Sequence, residues 1–229
     1  GDKIQAAPSV ADIDGEKVIF FGSNDNNFYA INSDGSLRFT VPTDYLVQSS
    51  PSFLEYNEDI YIFFGSNDDM IYAVNSTGNA IPGWPIQVNG TIGGSVVFSD
   101  LDGDSDPEVI AATDIGHILA FHLDGSFVNY FPIANAFPST SSPMITKLDD
   151  DGDSEIVAGS GSNLFVIDFK EAGSNTNYWN MYRGNEQRSG YFVSTHDTGC
   201  AVDLGDVSGD GNINILDLVQ IVNYILDVS

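Results

Sequence analysis

Asp100-Leu101-Asp102-Gly103-Asp104-Ser105-Asp106-Pro107-Glu108 is the stretch on which the reading of the chain turns. Its five acidic side chains stand at alternate positions, where they would repel one another in an ordinary loop, and Gly103 lets the backbone turn sharply between them. A hard cation resolves the repulsion. Calcium takes about six to eight oxygens from carboxylates, carbonyls and water, and alternating Asp residues in a compact loop can aim several of them at one centre. The alternative is a solvated acidic turn, which the strand-like Val109-Ile110-Ala111-Ala112 directly after it disfavours. The expected ligands are Asp100, Asp102, Asp104, Asp106 and Glu108.

The bulk composition agrees with bound cations. Lys and Arg number 7 against 33 Asp and Glu in 229 residues, a formal net charge of −26. That charge argues against nucleic acid or an anionic membrane as partner. There is no apolar run of about 18 residues, so no spanning helix is expected. Cys200 is the only cysteine, which excludes an internal disulfide. The first residues, Gly1-Asp2-Lys3-Ile4-Gln5, lack the charged head and apolar middle of a signal peptide, so the chain reads as mature or cut from something longer.

The acidic loop belongs to a repeat. Pro8-Ser9-Val10-Ala11 runs through Lys17-Val18-Ile19-Phe20-Phe21 and Gly22-Ser23-Asn24-Asp25 to Phe28-Tyr29-Ala30-Ile31-Asn32. Pro51-Ser52-Phe53-Leu54, Ile60-Tyr61-Ile62-Phe63-Phe64, Gly65-Ser66-Asn67-Asp68 and Ile71-Tyr72-Ala73-Val74-Asn75 repeat it. A third copy starts near Ser95-Val96 and a fourth at Pro143, so the copies sit 43 to 47 residues apart, the period of propeller blades. Each offers three or four short strands rich in β-branched and aromatic residues between Gly, Asn, Asp and Ser turns. One such sheet cannot bury both faces alone, so blades must stack about an axis, with most Tyr and Phe in the core. The predicted fold is mainly β, a propeller of four blade repeats near residues 5–46, 47–91, 92–137 and 138–193.

The first loop of each copy varies in length. In the third and fourth copies it is two residues longer than in the first two, and these longer loops hold the dense carboxylates. The fourth has Asp149, Asp151, Asp153 and Glu155 as candidate ligands, with Lys147 at the place of Asp100. An ammonium there could satisfy the neighbouring carboxylates internally, leaving weaker calcium or none. The short loops around Asp14-Gly15 and Asn57-Glu58 read as plain hairpin turns without metal.

Asp-Leu-Asp-Gly-Asp followed by Asp-Pro-Glu and an apolar strand resembles the FG-GAP or VCBS type of repeat, whose relatives include the calcium-bearing blades of integrin alpha chains. The likeness covers about residues 5–193, by motif in the last two copies and by period in the first two. It implies a β-propeller with loop-borne calcium and no single activity. Ile71-Tyr72-Ala73-Val74-Asn75 and Pro82-Gly83-Trp84-Pro85 also resemble the wider quinoprotein-like propellers, although the repeats are too few for their usual ring. Tyr178-Trp179-Asn180-Met181-Tyr182-Arg183 and the residues to Phe192 resemble the segment that closes the last blade of such proteins; an exposed aromatic and arginine ligand surface is the alternative. The copies could close as a four-bladed ring or remain open and pair with another chain.

Residues 194–203 are small and polar, a linker by composition. His196 beside Asp197 has no identifiable nucleophile to serve. Beyond it, Asp206-Val207-Ser208-Gly209-Asp210-Gly211-Asn212-Ile213-Asn214-Ile215-Leu216-Asp217 has the spacing of a twelve-residue calcium loop. Asp206, Ser208, Asp210, Asn214 and Asp217 would offer side-chain oxygens and Asn212 its carbonyl, with Gly211 at the turn. Leu216, Leu218, Val219, Val222, Ile225 and Leu226 then predict a helix with an apolar stripe. Asp in place of Glu at the twelfth position departs from the EF-hand, and the segment resembles one type I dockerin repeat. Dockerins pair two such repeats, whereas residues 204–229 supply one. The resemblance implies attachment to a cohesin-type partner, and Ile215 and Leu216 face either that partner or the core.

Together these features predict a calcium-binding, non-enzymatic protein, extracellular or on a bacterial surface, monomeric or self-associated through open blades. Its propeller would present a face to a protein or glycan and its dockerin-like segment would anchor it. The rival reading is the catalytic or non-catalytic end of a secreted hydrolase or lyase, although the carboxylates alternate along loops and show no separate acid–base pair.

Overall fold

The computed structural model describes residues 2–134, 137–161, 163–171 and 173–194; the linker beyond residue 194 and the dockerin-like segment, with Asp206, Ser208, Asp210, Asn212, Asn214 and Asp217, lie outside the described residues. Sixteen strands form four sheets, and no helix occurs among the described residues. The first sheet contains β1 (Ser9–Ile13), β2 (Glu16–Gly22), β3 (Asn27–Asn32) and β4 (Leu37–Pro42). The second contains β5 (Ser52–Tyr56), β6 (Asp59–Gly65), β7 (Met70–Asn75) and β8 (Ile86–Gln87). The third contains β9 (Val97–Ser99), β10 (Glu108–Ala112), β11 (His117–Phe121) and β12 (Ile133–Ala134). The fourth contains β13 (Met144–Thr146), β14 (Ser154–Gly159) and β15 (Leu164–Phe169). Each is an antiparallel meander in chain order, so every repeat seen in the sequence is one sheet.

Turn chemistry sets the first hairpins. Asp14 (φ 55°) and Gly15 (φ 78°) join β1 to β2, and Asn57 (φ 51°) and Glu58 (φ 69°) join β5 to β6. Two successive left-handed residues make the turn whose twist matches the flanking strands. Side chains alternate across the strands, and aromatic rings from neighbouring sheets meet between them. Phe20 meets Phe53 with centroids 5.3 Å apart, Phe63 meets Phe98 at 5.0 Å, and Phe131 meets Phe169 at 5.8 Å. All but Phe131 and Phe169 in this set are fully buried.

The repeated Gly-Ser-Asn-Asp has a steric origin. A Cβ on Gly22 would lie 2.4 Å from Val47 Cγ1, and one on Gly65 would lie 2.2 Å from Ile92 Cγ2. Val47 and Ile92 belong to the lead-in of the following sheet, and their amides donate to the Ser23 and Ser66 carbonyls. Glycine therefore lets the second blade approach the first, and the third the second, closely enough to hydrogen-bond it; the third repeat has Ala112 at this place.

Packing differs along the series. β10, in the third sheet, is buried on both faces, whereas Ile19 on the first sheet and Leu164 and Val166 on the fourth are exposed. Buried apolar side chains of the first three sheets form one cluster and those of the third and fourth another; among the described residues no such cluster joins the fourth to the first.

The segment after β15 makes that connection instead. Asp100 and Ser174 exchange backbone hydrogen bonds, Phe98 donates to Trp179 O at 3.0 Å, Ile145 to Asn180 O at 2.8 Å, and Val10 to Gly190 O at 2.7 Å. β16 (Tyr191–Phe192) then pairs parallel to β1. The sequence assigned this segment to closing the last blade; it runs along the first strands of the third, fourth and first sheets and adds its strand to the first, because those edges carry the open N–H groups. Trp179 is buried against Phe53, with centroids 5.3 Å apart. Arg183 donates to the carbonyls of Pro8, Arg188 and Ser189. These two residues are thus structural, not the exposed ligand surface that was the alternative.

Gly65→Ala is expected to cost about 1–3 kcal/mol through overpacking against Ile92. Gly161→Ala, whose added carbon meets nothing within 4 Å, should leave the melting temperature unchanged in the same thermal scan.

Candidate metal centre

The acidic loop joins β9 to β10 and is built from turns in which each carboxylate accepts an amide. Asp100 Oδ1 accepts Gly103 N at 2.7 Å, Asp102 Oδ1 accepts Asp104 N at 3.3 Å, and Asp104 Oδ1 accepts Asp106 N at 2.8 Å. Gly103 and Ser105 take left-handed φ values of 80° and 76° to allow this. One carboxylate oxygen from each of Asp100, Asp102 and Asp104 lies within 4.8 Å of the others. Glu108, at the start of β10, is fully buried, and its Oε2 accepts Leu101 N at 2.6 Å. Asp106 stands apart from this group, its Oδ1 accepting the Tyr56 hydroxyl at 2.8 Å.

His122 joins the site without having been read from the sequence. Its Nδ1 lies 3.3 Å from Glu108 Oε1, and Asp102, Glu108 and His122 form a second group of potential ligand atoms within 4.8 Å. The signal was strand register. Val109 pairs with Phe121, so the next pair outward is Glu108 with His122. A cavity of about 450 Å³ beside the loop is lined by Tyr56, Asp104, Asp106, Glu108 and His122, among others.

Burial pushes the Glu108 carboxyl up to about 8, with Asp102, Asp104 and Asp100 adding to the rise and the Leu101 amide opposing it. Below that pH the loop without a cation would keep a proton on Glu108, which a divalent ion would displace.

The fourth sheet repeats the geometry between β13 and β14. Glu155 Oε2 accepts Leu148 N as Glu108 accepts Leu101 N, and Asp149 Oδ1 accepts Asp151 N at 3.1 Å as Asp102 accepts Asp104 N. Asp149, Asp151, Asp153 and Glu155 each bring an oxygen within 4.8 Å of the others. Asp153 Oδ1 and Glu155 Oε1 are buried without a hydrogen-bond partner. The cation found here is not the expected one. Lys147 donates to Gly152 O at 3.0 Å, while Lys170 Nζ lies 2.6 Å from Asp151, 3.1 Å from Asp153 and 2.7 Å from Asp168. Register again explains it, since Ser154 pairs with Phe169 and the next pair outward is Asp153 with Lys170. Hydrogen bonding with Asp151 raises Asp149 and Asp153, and Asp153 and Lys170 hold Asp151 low. In the first sheet the short loop has no such cluster; Asp12 accepts from Lys17 and Tyr191.

No protein-family model and no curated protein matches the chain. Solved structures do. BBS1N, crystallised in complex with ARL6DN and soaked with mercury, shares 14% identity over 75% of this chain and 53% of its own, with a TM-score of 0.53. BamB from Moraxella catarrhalis shares 14% over 76% of this chain and 48% of its own, with a TM-score of 0.50. The WD40 β-propeller domain of Doa1 shares 16% over 70% and 50%, with a TM-score of 0.49. The fold is propeller-like. At these identities the likeness shows the fold alone, and the chain spans about half the length of the solved chains it matches.

The raised Glu108 carboxyl sets a pH dependence. Above its unfolded value of 4.5, the unfolded state releases a proton that native Glu108 keeps up to about 8, so Glu108 favours the fold least at high pH. In chelator, the stability of wild type relative to Glu108→Gln is expected to fall steadily across this range; a constant difference in urea midpoints would contradict it.

Proposed function

We propose that the propeller is a calcium-stabilised, non-catalytic binding module, extracellular or on a bacterial surface, that presents a face to a protein or glycan partner. The observation that carries the reading is the same carboxylate geometry in adjacent sheets, with the buried Asp153 Oδ1 and Glu155 Oε1 lacking any donor. Orphaned buried oxygens cost free energy unless a cation or donor meets them. An all-oxygen set of carboxylates and carbonyls suits a hard divalent ion, and near-millimolar extracellular calcium would fill sites of modest affinity.

In the third sheet Asp100, Asp102, Asp104 and Glu108 would hold the ion, with Asp106 on the rim and His122 orienting Glu108. In the fourth, Asp149, Asp151, Asp153 and Glu155 would hold it only if Lys170 withdrew, so that site is the weaker. Bound calcium would supply charge neutralisation, joining the loop to β10 and adding its binding free energy to folding. The BBS1N structure, which contains a propeller-like chain bound to ARL6DN, supports a protein-binding role for such a fold. The dockerin-like segment would attach the module to a cohesin-type partner through the loop from Asp206 to Asp217.

Calcium titration of chelated protein by calorimetry tests this. The expected result is two or three ions, with Asp104→Ala removing one and Asp210→Ala removing a different one. At a hundredfold excess over Kd, calcium should stabilise the fold by about 2.7 kcal/mol per site. An unchanged melting temperature on chelation would defeat the proposal.

A further inference from the structure

Each sheet is preceded by a pair of small residues two to three positions before its first strand: Ala6-Ala7, Ser49-Ser50, Gly94-Ser95 and Ser141-Ser142. They are tied across sheets. Ala7 N donates to Ser50 Oγ at 3.1 Å, and Ser95 N donates to Ser142 Oγ at 2.8 Å. All four pairs contribute to one cavity of about 440 Å³, whose wall Gln5, Gln48, Gly93, Thr140, Tyr182 and Arg188 complete. Small side chains from all four sheets leave this space, and its volume lies in the range of about 300–1,000 Å³ usual for small-molecule sites.

The chemistry of the wall is selective. Hydroxyls and carboxamides dominate it, and among the described residues Arg188 is its one charged residue. In a chain of net charge −26, no carboxylate among the described residues lines this cavity. The backbone of Arg188 is fixed by Arg183, which donates to its carbonyl at 2.8 Å, while its guanidinium has no hydrogen-bond or ion-pair partner among the described residues. Ser95, buried in the wall, has a hydroxyl without a partner. Tyr182 adds a partly exposed ring.

We propose that this cavity binds a polyhydroxylated monocarboxylate of the sugar-acid class, its carboxylate on Arg188 and its hydroxyls among the serine and glutamine side chains. A guanidinium pairs with a carboxylate through two parallel hydrogen bonds. Cations are rejected by Arg188, and polyanions by the field of the surrounding protein, so a single negative charge fits best. The site is separate from the acidic loops, none of whose carboxylates lines it.

The test uses the full chain with calcium present and two probes that differ only in the carboxylate, D-glucuronate and D-glucose, followed by ligand-observed NMR. A glucuronate-terminated disaccharide distinguishes a free acid from a chain end as the natural source. Glucuronate is expected to bind at least about tenfold more tightly than glucose, a charge-assisted contribution. Arg188→Asn, which suits the left-handed φ of 52° at this position, should reduce glucuronate to the level of glucose. Gly93→Leu, at a cavity-lining position where an added Cβ meets nothing within 4 Å, should abolish binding of both without lowering the melting temperature. Equal binding of the two probes, no binding of either, or binding that survives Gly93→Leu would overturn the proposal.

Discussion

The hydrogen bonds between residues 174–192 and the first strands of three sheets are the constraint on which the remaining structure depends. β9 and β13 are edge strands of their sheets, and β1 is covered on its outer side only by β16, which belongs to this segment. The Phe98 and Ile145 side chains are fully buried, and leaving their amides unpaired would cost about 1–3 kcal/mol each. One crossing segment satisfies these groups in sequence. It also drives the Trp179 ring against Phe53 of the second sheet, so all four sheets are held by one stretch of chain. Arg183 fixes the end of that path by capping three carbonyls, and a Cβ on Gly190 would fall 2.2 Å from its guanidinium.

With the strands anchored, the loops that follow β9 and β13 can concentrate negative charge. Their carboxylates are organised by local amides, so a cation would meet a preformed cluster and lose little to ordering it. The two loops differ in what stands beside the charge: Glu108, its carboxyl raised by burial, next to His122 in one, and Lys170 in the other. The cavity at the lead-ins is the electrostatic opposite: among the described residues its wall carries one guanidinium and no carboxylate.

The repeat period and the carboxylate alternation made much of this legible in the sequence. Four copies became four sheets, and Asp100, Asp102 and Asp104 came together as their spacing implied. His122 and Lys170 escaped because each reaches its carboxylate across an antiparallel pair, and pairing depends on a register that a linear reading does not follow. Asp106 left the cluster because Tyr56, from another sheet and fifty residues away, offers it a hydroxyl. The path of residues 174–192 was hidden for the same reason: its partners are backbone amides, which carry no sequence signature. The small pairs before each first strand carry no signal of their own in the sequence, because their meeting follows only from stacking the sheets.

The most direct measurement is native-state hydrogen exchange at Val10, Phe98, Asp100 and Ile145, compared between wild type and Trp179→Ala. If the crossing segment holds the sheets as one unit, all four amides lose protection together, along with the strands behind them. Loss confined to Phe98, with Val10 and Ile145 unchanged, would show that the sheets stand without it and would contradict the account.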